Sequence, residues 1–279
     1  MSITPIEPPL FSAYRGLLKL ASLNLSFMDQ VAIQMAGVGT VPPGYLRARV
    51  HGGADLAGFL RVGQRCASDL EAALRRVGRK FGDFSDVLDF GCGSGRTLLW
   101  LKQAGVSGRV SGTDIDAEAV DWCARNLNWG TFTSNGPRPP LPYADGSFDL
   151  VYAISVFTHL DEEYQFQWLE ELRRITRPSG IVLITLHGRE LWKEFPRDQA
   201  EKVERQGVDV MRTSMWRGLF PEWYQNTYHS RPYVEKNFAI YFEFLDYISL
   251  GLNANQDVVV LRRRDETPGK APRAHAAGP

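Results

Sequence analysis

Two carboxylates and three alternate glycines are the residues in this chain whose types and spacing point most directly to chemistry. In residues 85–96, SDVLDFGCGSGR, Asp89 stands just before Gly91, Gly93 and Gly95, which occupy every second position. Val87, Leu88 and Phe90 read as a short buried strand ahead of the glycines, and residues 96–104 read as a helix after them. Strand, glycine turn and helix in that order let backbone approach a nucleotide-like ligand without Cβ collisions and aim a helix N-terminus at it. The dinucleotide fingerprint would need a glycine where Arg96 stands. An acidic residue before the glycines also repels a pyrophosphate, whereas it suits a ligand carrying an ammonium group and hydroxyls. Asp114 lies about 20 residues beyond the glycines and ends a second strand, residues 108–114, where a carboxylate can accept from both hydroxyls of a ribose. His159, His187, His229 and His51 are spaced so that all four can face one crevice, while His275 lies in the tail.

The elements that must position these residues alternate regularly. Asp116 suits the N-cap of a helix over 117–127, and a third strand follows at 130–135. Proline and glycine turns in LPYADG feed a fourth strand, 148–154. Asp161 caps a helix whose Tyr164, Trp168, Leu172 and Ile175 form an apolar stripe, with Arg173, Arg174 and Arg177 complementing its C-terminal dipole. RPSG stops that helix, and 181–186 is an apolar strand suited to a parallel sheet buried on both faces. A long segment, 188–230, replaces the short connection expected next. It begins as polar helix and ends in Trp216, Phe220, Trp223, Tyr224 and Tyr228. Inserted at the C-terminal end of strand five, it reads as a substrate lid or as a prop for the N-terminal residues. A helix over 231–238 and strands at 239–248 and 257–263 complete the pattern.

DFGCGSGR resembles motif I of the class I S-adenosylmethionine (SAM) dependent methyltransferases, and LPYADGSFDLVYAI is similar to the fourth-strand signature of the same family. The resemblance covers roughly 84–263. It implies an α/β fold: a Rossmann-like, seven-stranded, mostly parallel sheet with an antiparallel last strand, in a catalytic domain at 81–263; the N-terminal helical cap (1–80) and the lid (188–230) are read from the residues themselves. It implies SAM as cofactor, held by Asp89, Gly91, Cys92, Gly93 and Gly95, with Asp114 on the ribose and Ile115 packing on the adenine. Asn135 stands where many relatives have an acidic acceptor for the adenine amino group, and Ser155 ends strand four beside the same site. In the cap, Arg49 either reaches the methionine carboxylate of the cofactor or belongs to a solvated basic face.

Composition narrows the partners. The 279 residues, 44% of them hydrophobic, suffice for a full core, and formal net charge is zero, which gives no global field for nucleic acid or an anionic membrane. Three cysteines without CxxC spacing suit a reducing, cytoplasmic compartment. Residues 10–28 form an amphipathic stretch interrupted by Arg15, Lys19 and Asn24, which suits packing on the domain better than membrane insertion. Residues 264–279 read as a disordered tail.

Methyl transfer from a sulfonium is an in-line displacement, so the protein aligns, excludes water and, for a hydroxyl acceptor, removes a proton. His159 or His187, with His229 next, are the candidate bases. No histidine pair has the spacing of a metal site. The reading is a methyltransferase for a small-molecule or glycan acceptor, at oxygen. The alternatives are a protein or lipid methyltransferase, a nicotinamide oxidoreductase, which the glycine spacing opposes, and a catalytically silent binding subunit of the same fold.

Overall fold

The structure, a computed structural model, describes residues 27–211 and 225–264 together with Ala13, Gly16 and Leu17. Nearly all of the 10–28 stretch, the tail from 265 and the aromatics Trp216, Phe220, Trp223 and Tyr224 lie outside the described residues. The strands in chain order are β1 (Asp86–Phe90), β2 (Arg109–Asp114), β3 (Gly130–Ser134), β4 (Phe148–Ala153) and β5 (Thr176–Leu186). They continue with β6 (Val208–Met211), β7 (Asn226–His229), β8 (Glu243–Leu252) and β9 (Gln256–Arg262). Seven form one sheet in the order β3-β2-β1-β4-β5-β9-β8, and β6 pairs with β7 in a separate two-stranded sheet. All neighbours in the large sheet run parallel except around β9, which is antiparallel to both β5 and β8. This is the predicted mostly parallel sheet with an antiparallel last strand.

The helices are α1 (Phe27–Ala36), α2 (Gly44–His51), α3 (Leu56–Arg76), α4 (Ala117–Asn126), α5 (Glu162–Ile175), α6 (Arg189–Trp192), α7 (Arg197–Gln206) and α8 (Arg231–Phe238). Both predicted caps form: Asp116 accepts from the Ala119 N–H at 3.3 Å and Asp161 from the Tyr164 N–H at 3.0 Å. Strand alternation sends Val87, Leu150, Leu183 and Val258 to one face, against α3 and α4. Leu88, Val151, Val182 and Val259 point to the other, against α5 and α8. The central strands are buried on both faces, as a parallel sheet requires. Among the described residues no helix is long and apolar enough to cross a membrane.

Three local expectations differ from the structure. Residues 96–104 do not form an α-helix; they pass through a 3-10 turn at Leu98–Trp100. Residues 97–101 are all buried and α3 packs on that turn, so the segment lacks the solvent-facing stripe of an amphipathic helix. Strand β5 begins at Thr176 rather than 181, because RPSG forms an irregularity within it: register shifts between Phe148 and Leu150, and Ser179 is left-handed at φ +61°. The N-terminal helices also divide. Helix α2 lies on the glycine turn, with Ser94 Oγ donating to the Leu46 carbonyl and Arg96 to the Val50 carbonyl. Helix α3 runs along β8 and β9, and its Leu70 and Leu74 are wholly buried in the core.

Candidate active site

The C-terminal ends of β1, β2, β4 and β5 converge, which is where open α/β sheets collect ligands. At the end of β1, Asp89 is only 3% exposed and accepts from the Tyr152 hydroxyl at 2.9 Å. Their meeting follows from register, since Asp89 pairs with Tyr152 across β1 and β4. Burial pushes the Asp89 carboxyl up to about 8; the Tyr152 hydrogen bond opposes the shift and the nearby Asp114 charge adds to it.

The glycine turn is bonded to β2. The Gly91 and Cys92 N–H groups donate to the Thr113 carbonyl at 2.8 and 3.1 Å, and the Gly93 N–H donates to Asp114 Oδ2 at 2.7 Å. Gly91 and Gly93 take φ of +85° and +51°, and a Cβ at either would collide with Val156 or Val50 at 2.2–2.3 Å. The other oxygen of Asp114 accepts from the Asp116 N–H at 2.8 Å. These two backbone donors, with the Ile115 N–H close by, do not exhaust a carboxylate's capacity, so Asp114 retains an acceptor site for a hydroxyl. Burial raises its pKa against those same hydrogen bonds. Beside it Ile115 is 39% exposed, an apolar surface next to a polar anchor. Neither Asp89 nor Asp114 makes an ion pair with a described residue.

The remaining sequence-predicted cofactor residues sit around this core with partners of their own. The Asn135 side-chain oxygen accepts from Thr113 Oγ1 at 2.8 Å, and its nitrogen donates to the Gly136 carbonyl at 2.7 Å. Ser155, two residues past β4, takes the left-handed region at φ +57°, its N–H donating to Thr185 Oγ1 and its hydroxyl bonded to the Gln256 amide. A left-handed residue other than glycine is a local cost that the surrounding hydrogen bonds sustain. Cys92 is buried, and its hydrogen bond with Cys123 together with burial holds its thiol well above the ordinary range, which makes it inert. Arg49 does not stand free above the turn: it donates to both oxygens of Asp116 at 2.9 and 2.7 Å and to Glu118 at 2.6 Å, tying α2 to the start of α4. Burial works against its charge, and the two carboxylates more than offset that effect.

The histidines separate into different environments. His159 Nδ1 lies 2.7 Å from the Gln225 carbonyl, and burial lowers its pKa. The His187 ring meets His159 edge to face at 6.3 Å and tilts against Tyr228 at 5.2 Å, and Tyr228 in turn meets Phe195 at 4.9 Å. Burial, with the His159 charge second, lowers His187 to about 4, and its Nδ1 is buried without a hydrogen-bond partner. His229, expected in the crevice, is 0% exposed; its Nε2 lies 3.0 Å from Gln165 Oε1, and burial lowers it to about 3. His51 lies in the cap edge-on to Phe59. Among the described residues no three His, Cys, Asp or Glu side chains group as a metal-holding set.

Tyr152, Gln225 and Thr227 are residues that sequence reasoning missed. Tyr152 had a signal, because a hydroxyl in a strand buried on both faces needs a partner on the neighbouring strand. Gln225 and Thr227 had none, because they act through a backbone carbonyl and through pairing with a loop some 67 residues away.

The profile of a family described as "methyltransferase domain" matches residues 88–184, from within β1 to near the end of β5. An uncharacterized methyltransferase of Synechocystis is 33% identical over 112 residues, covering 39% of this chain and 51% of its own. The demethylmenaquinone methyltransferase of Lactobacillus johnsonii is 34% identical over 109 residues, covering 37% and 43%. The chain thus spans about half or less of the length of these relatives. Among solved structures, Burkholderia thailandensis 1,6-didemethyltoxoflavin-N1-methyltransferase, with bound 1,6-didemethyltoxoflavin and S-adenosylhomocysteine, superposes with a TM-score of 0.53 at 16% identity, covering 94% of this chain and 95% of that one. That likeness extends over the whole fold. With the glycine turn, its flanking carboxylates and the sheet order already placed, the family match identifies residues 88–184 as a methyltransferase domain.

Proposed function

We propose that this protein transfers a methyl group from SAM to oxygen on a small-molecule or glycan acceptor. The observation that carries the reading is the pair of carboxylates, Asp89 and Asp114, gathered at one end of the sheet with no direct ion pair to a described residue, only the more distant charge of Arg96 favouring ionised Asp89. Buried carboxylates of like charge are costly unless a cation or hydrogen-bond donors complete them. SAM brings an ammonium, a sulfonium and a ribose diol, so the donor set fits the group. Asp114 would accept from the diol, Asp89 would face the cationic methionine end, and Ile115 would pack on the adenine. Asn135 and Ser155 would line the same crevice through atoms that already have protein partners.

When bound, SAM supplies an electrophilic methyl on sulfur. The chain aligns the acceptor, excludes water and holds the acceptor's proton. Burial keeps His159 and His187 in the neutral form, the one that has a lone pair to offer a proton. His159 is the stronger candidate, because a base lowered to about 4 removes a hydroxyl proton poorly. Phe195, Tyr228 and His187 offer an aromatic wall for the acceptor. The test is equilibrium binding of SAM against NAD, followed by mass spectrometry of a metabolite extract incubated with the protein and methyl-labelled SAM. Selective SAM binding and a labelled O-methyl product are expected. A folded protein that bound no SAM would overturn the assignment.

A further inference from the structure

The segment around β7 is stitched to the loop after β4 through main-chain atoms. The Thr227 N–H donates to the Thr158 carbonyl at 2.8 Å, and Thr227 Oγ1 donates to the Leu160 carbonyl at 2.7 Å. Between those two anchors, His159 Nδ1 lies 2.7 Å from the Gln225 carbonyl. A carbonyl oxygen only accepts, so Nδ1 must carry the proton, and Nε2 is then the nitrogen of a neutral ring that can take one.

Gln165 holds the arrangement from below. Its Nε2 donates to the Phe157 carbonyl at 3.2 Å and the Leu160 carbonyl at 2.9 Å, which fixes the amide orientation and turns Oε1 toward His229. His229 Nε2 therefore donates to Gln165. His229 also ties β7 to the end of β5, since its N–H donates to the His187 carbonyl at 2.9 Å and its carbonyl accepts from the Trp192 indole at 2.9 Å. Gln165, Thr227 and His229 are all buried, so the network works inside a low dielectric where hydrogen bonds are strong and a missing partner is costly.

We propose that β7 is the orienting partner of the base: Gln165, Thr227 and His229 are positioning residues that deliver the Gln225 carbonyl to His159 and hold its imidazole in the tautomer whose Nε2 accepts a proton. The proposal rests on His159 being the base. It gives His229 a structural task in place of the catalytic one expected from the sequence. It also explains how residue 225 can serve the site whatever its side chain, since the working atom is a backbone oxygen.

The test is long-range ¹H–¹⁵N correlation spectroscopy on protein labelled at the histidine rings, with H159Q assigning the His159 signals. In the unaltered protein His159 should show a protonated Nδ1 and an unprotonated Nε2, the reverse of the tautomer an imidazole in water prefers. In T227V and in Q165L the ring should move toward that water-like tautomer, with faster amide exchange across 225–229. A protonated Nε2 in the unaltered protein would overturn the proposal, and this measurement stands even if a variant fails to fold. So would a Q165L protein that retains the Nδ1–H ring although exchange shows 225–229 released. SAM affinity, measured by titration calorimetry on the same samples, should stay within about twofold in T227V. Absence of SAM binding in the unaltered protein would instead strike the proposed function and leave the tautomer result intact.

Discussion

The two halves of the crevice solve opposite electrostatic problems. On the proposed cofactor side, two carboxylates lie near each other without a direct ion pair to a described residue, and burial drives Asp89 up to about 8. On the proposed acceptor side, burial keeps the histidines uncharged, with His187 lowered to about 4, and His229 behind it to about 3. One half is short of positive charge, which a sulfonium ligand supplies; the other is kept free of charge, which suits a proton acceptor. They also differ in construction. Asp89, the glycines and Asp114 lie within 26 consecutive residues and are held by backbone hydrogen bonds, whereas His159, His187 and Gln225 meet only because β4, β5 and β7 converge.

Substitution should expose that contrast, and the largest effect belongs to the acceptor side. H159A is expected to lower turnover on an identified acceptor by roughly 10²–10⁴-fold while SAM affinity changes little. H187A should cost less, and equal losses in both would place the base elsewhere. Initial-rate kinetics alongside calorimetry separates the two parameters. D114A should do the reverse on the cofactor side, weakening SAM binding by roughly 100-fold, the worth of about one strong charge-assisted hydrogen bond. Normal SAM affinity in a folded D114A protein would remove Asp114 from the ribose.

A third effect is in pH. Asp89 titrates at about 8 in the folded protein against an ordinary value of 3.8. Between those values the folded chain binds the proton that the unfolded chain has lost, so Asp89 takes stability away as pH rises from about 4 through about 8. A cationic ligand prefers the ionised form, so SAM affinity should climb by up to about tenfold per pH unit and level off above about 8. In D89N both trends should vanish; a D89N protein with the same pH–affinity slope would assign the titration to another group.

The smallest effect tests Arg49. Bound to Asp116 and Glu118, it should cost about 1–2 kcal/mol of stability when replaced by glutamine, read as a lower thermal midpoint. SAM affinity should fall less than tenfold. A loss of 100-fold or more would mean that Arg49 leaves those carboxylates to meet the cofactor.

Much of the cofactor half was legible in the sequence because its information is short-range. An acidic residue before alternate glycines, a second acidic residue one βα unit on, and the caps at Asp116 and Asp161 all act on neighbours within a few residues. The helix expected over 96–104 failed for the opposite reason: burial of residues 97–101 under α3 overrode the local helix compatibility of that run. Arg49 was read toward a ligand because its partners, 67 and 69 residues away, are ordinary surface-type residues in the sequence. His229 looked like His159 on paper, yet one is fully buried between Gln165 and Tyr233 and the other is half-buried against the Gln225 carbonyl.

The sequence by itself determined the strand order of events, the glycine turn, the acidic pair and with them the methyl donor, because backbone conformation and local hydrogen bonding depend on nearby residues. Only the tertiary structure decided which histidine ring meets the Gln225 carbonyl, which is fully buried, and where Arg49 spends its charge. Those outcomes depend on burial and on partners brought together across β4, β5 and β7, and neither quantity is local in the chain.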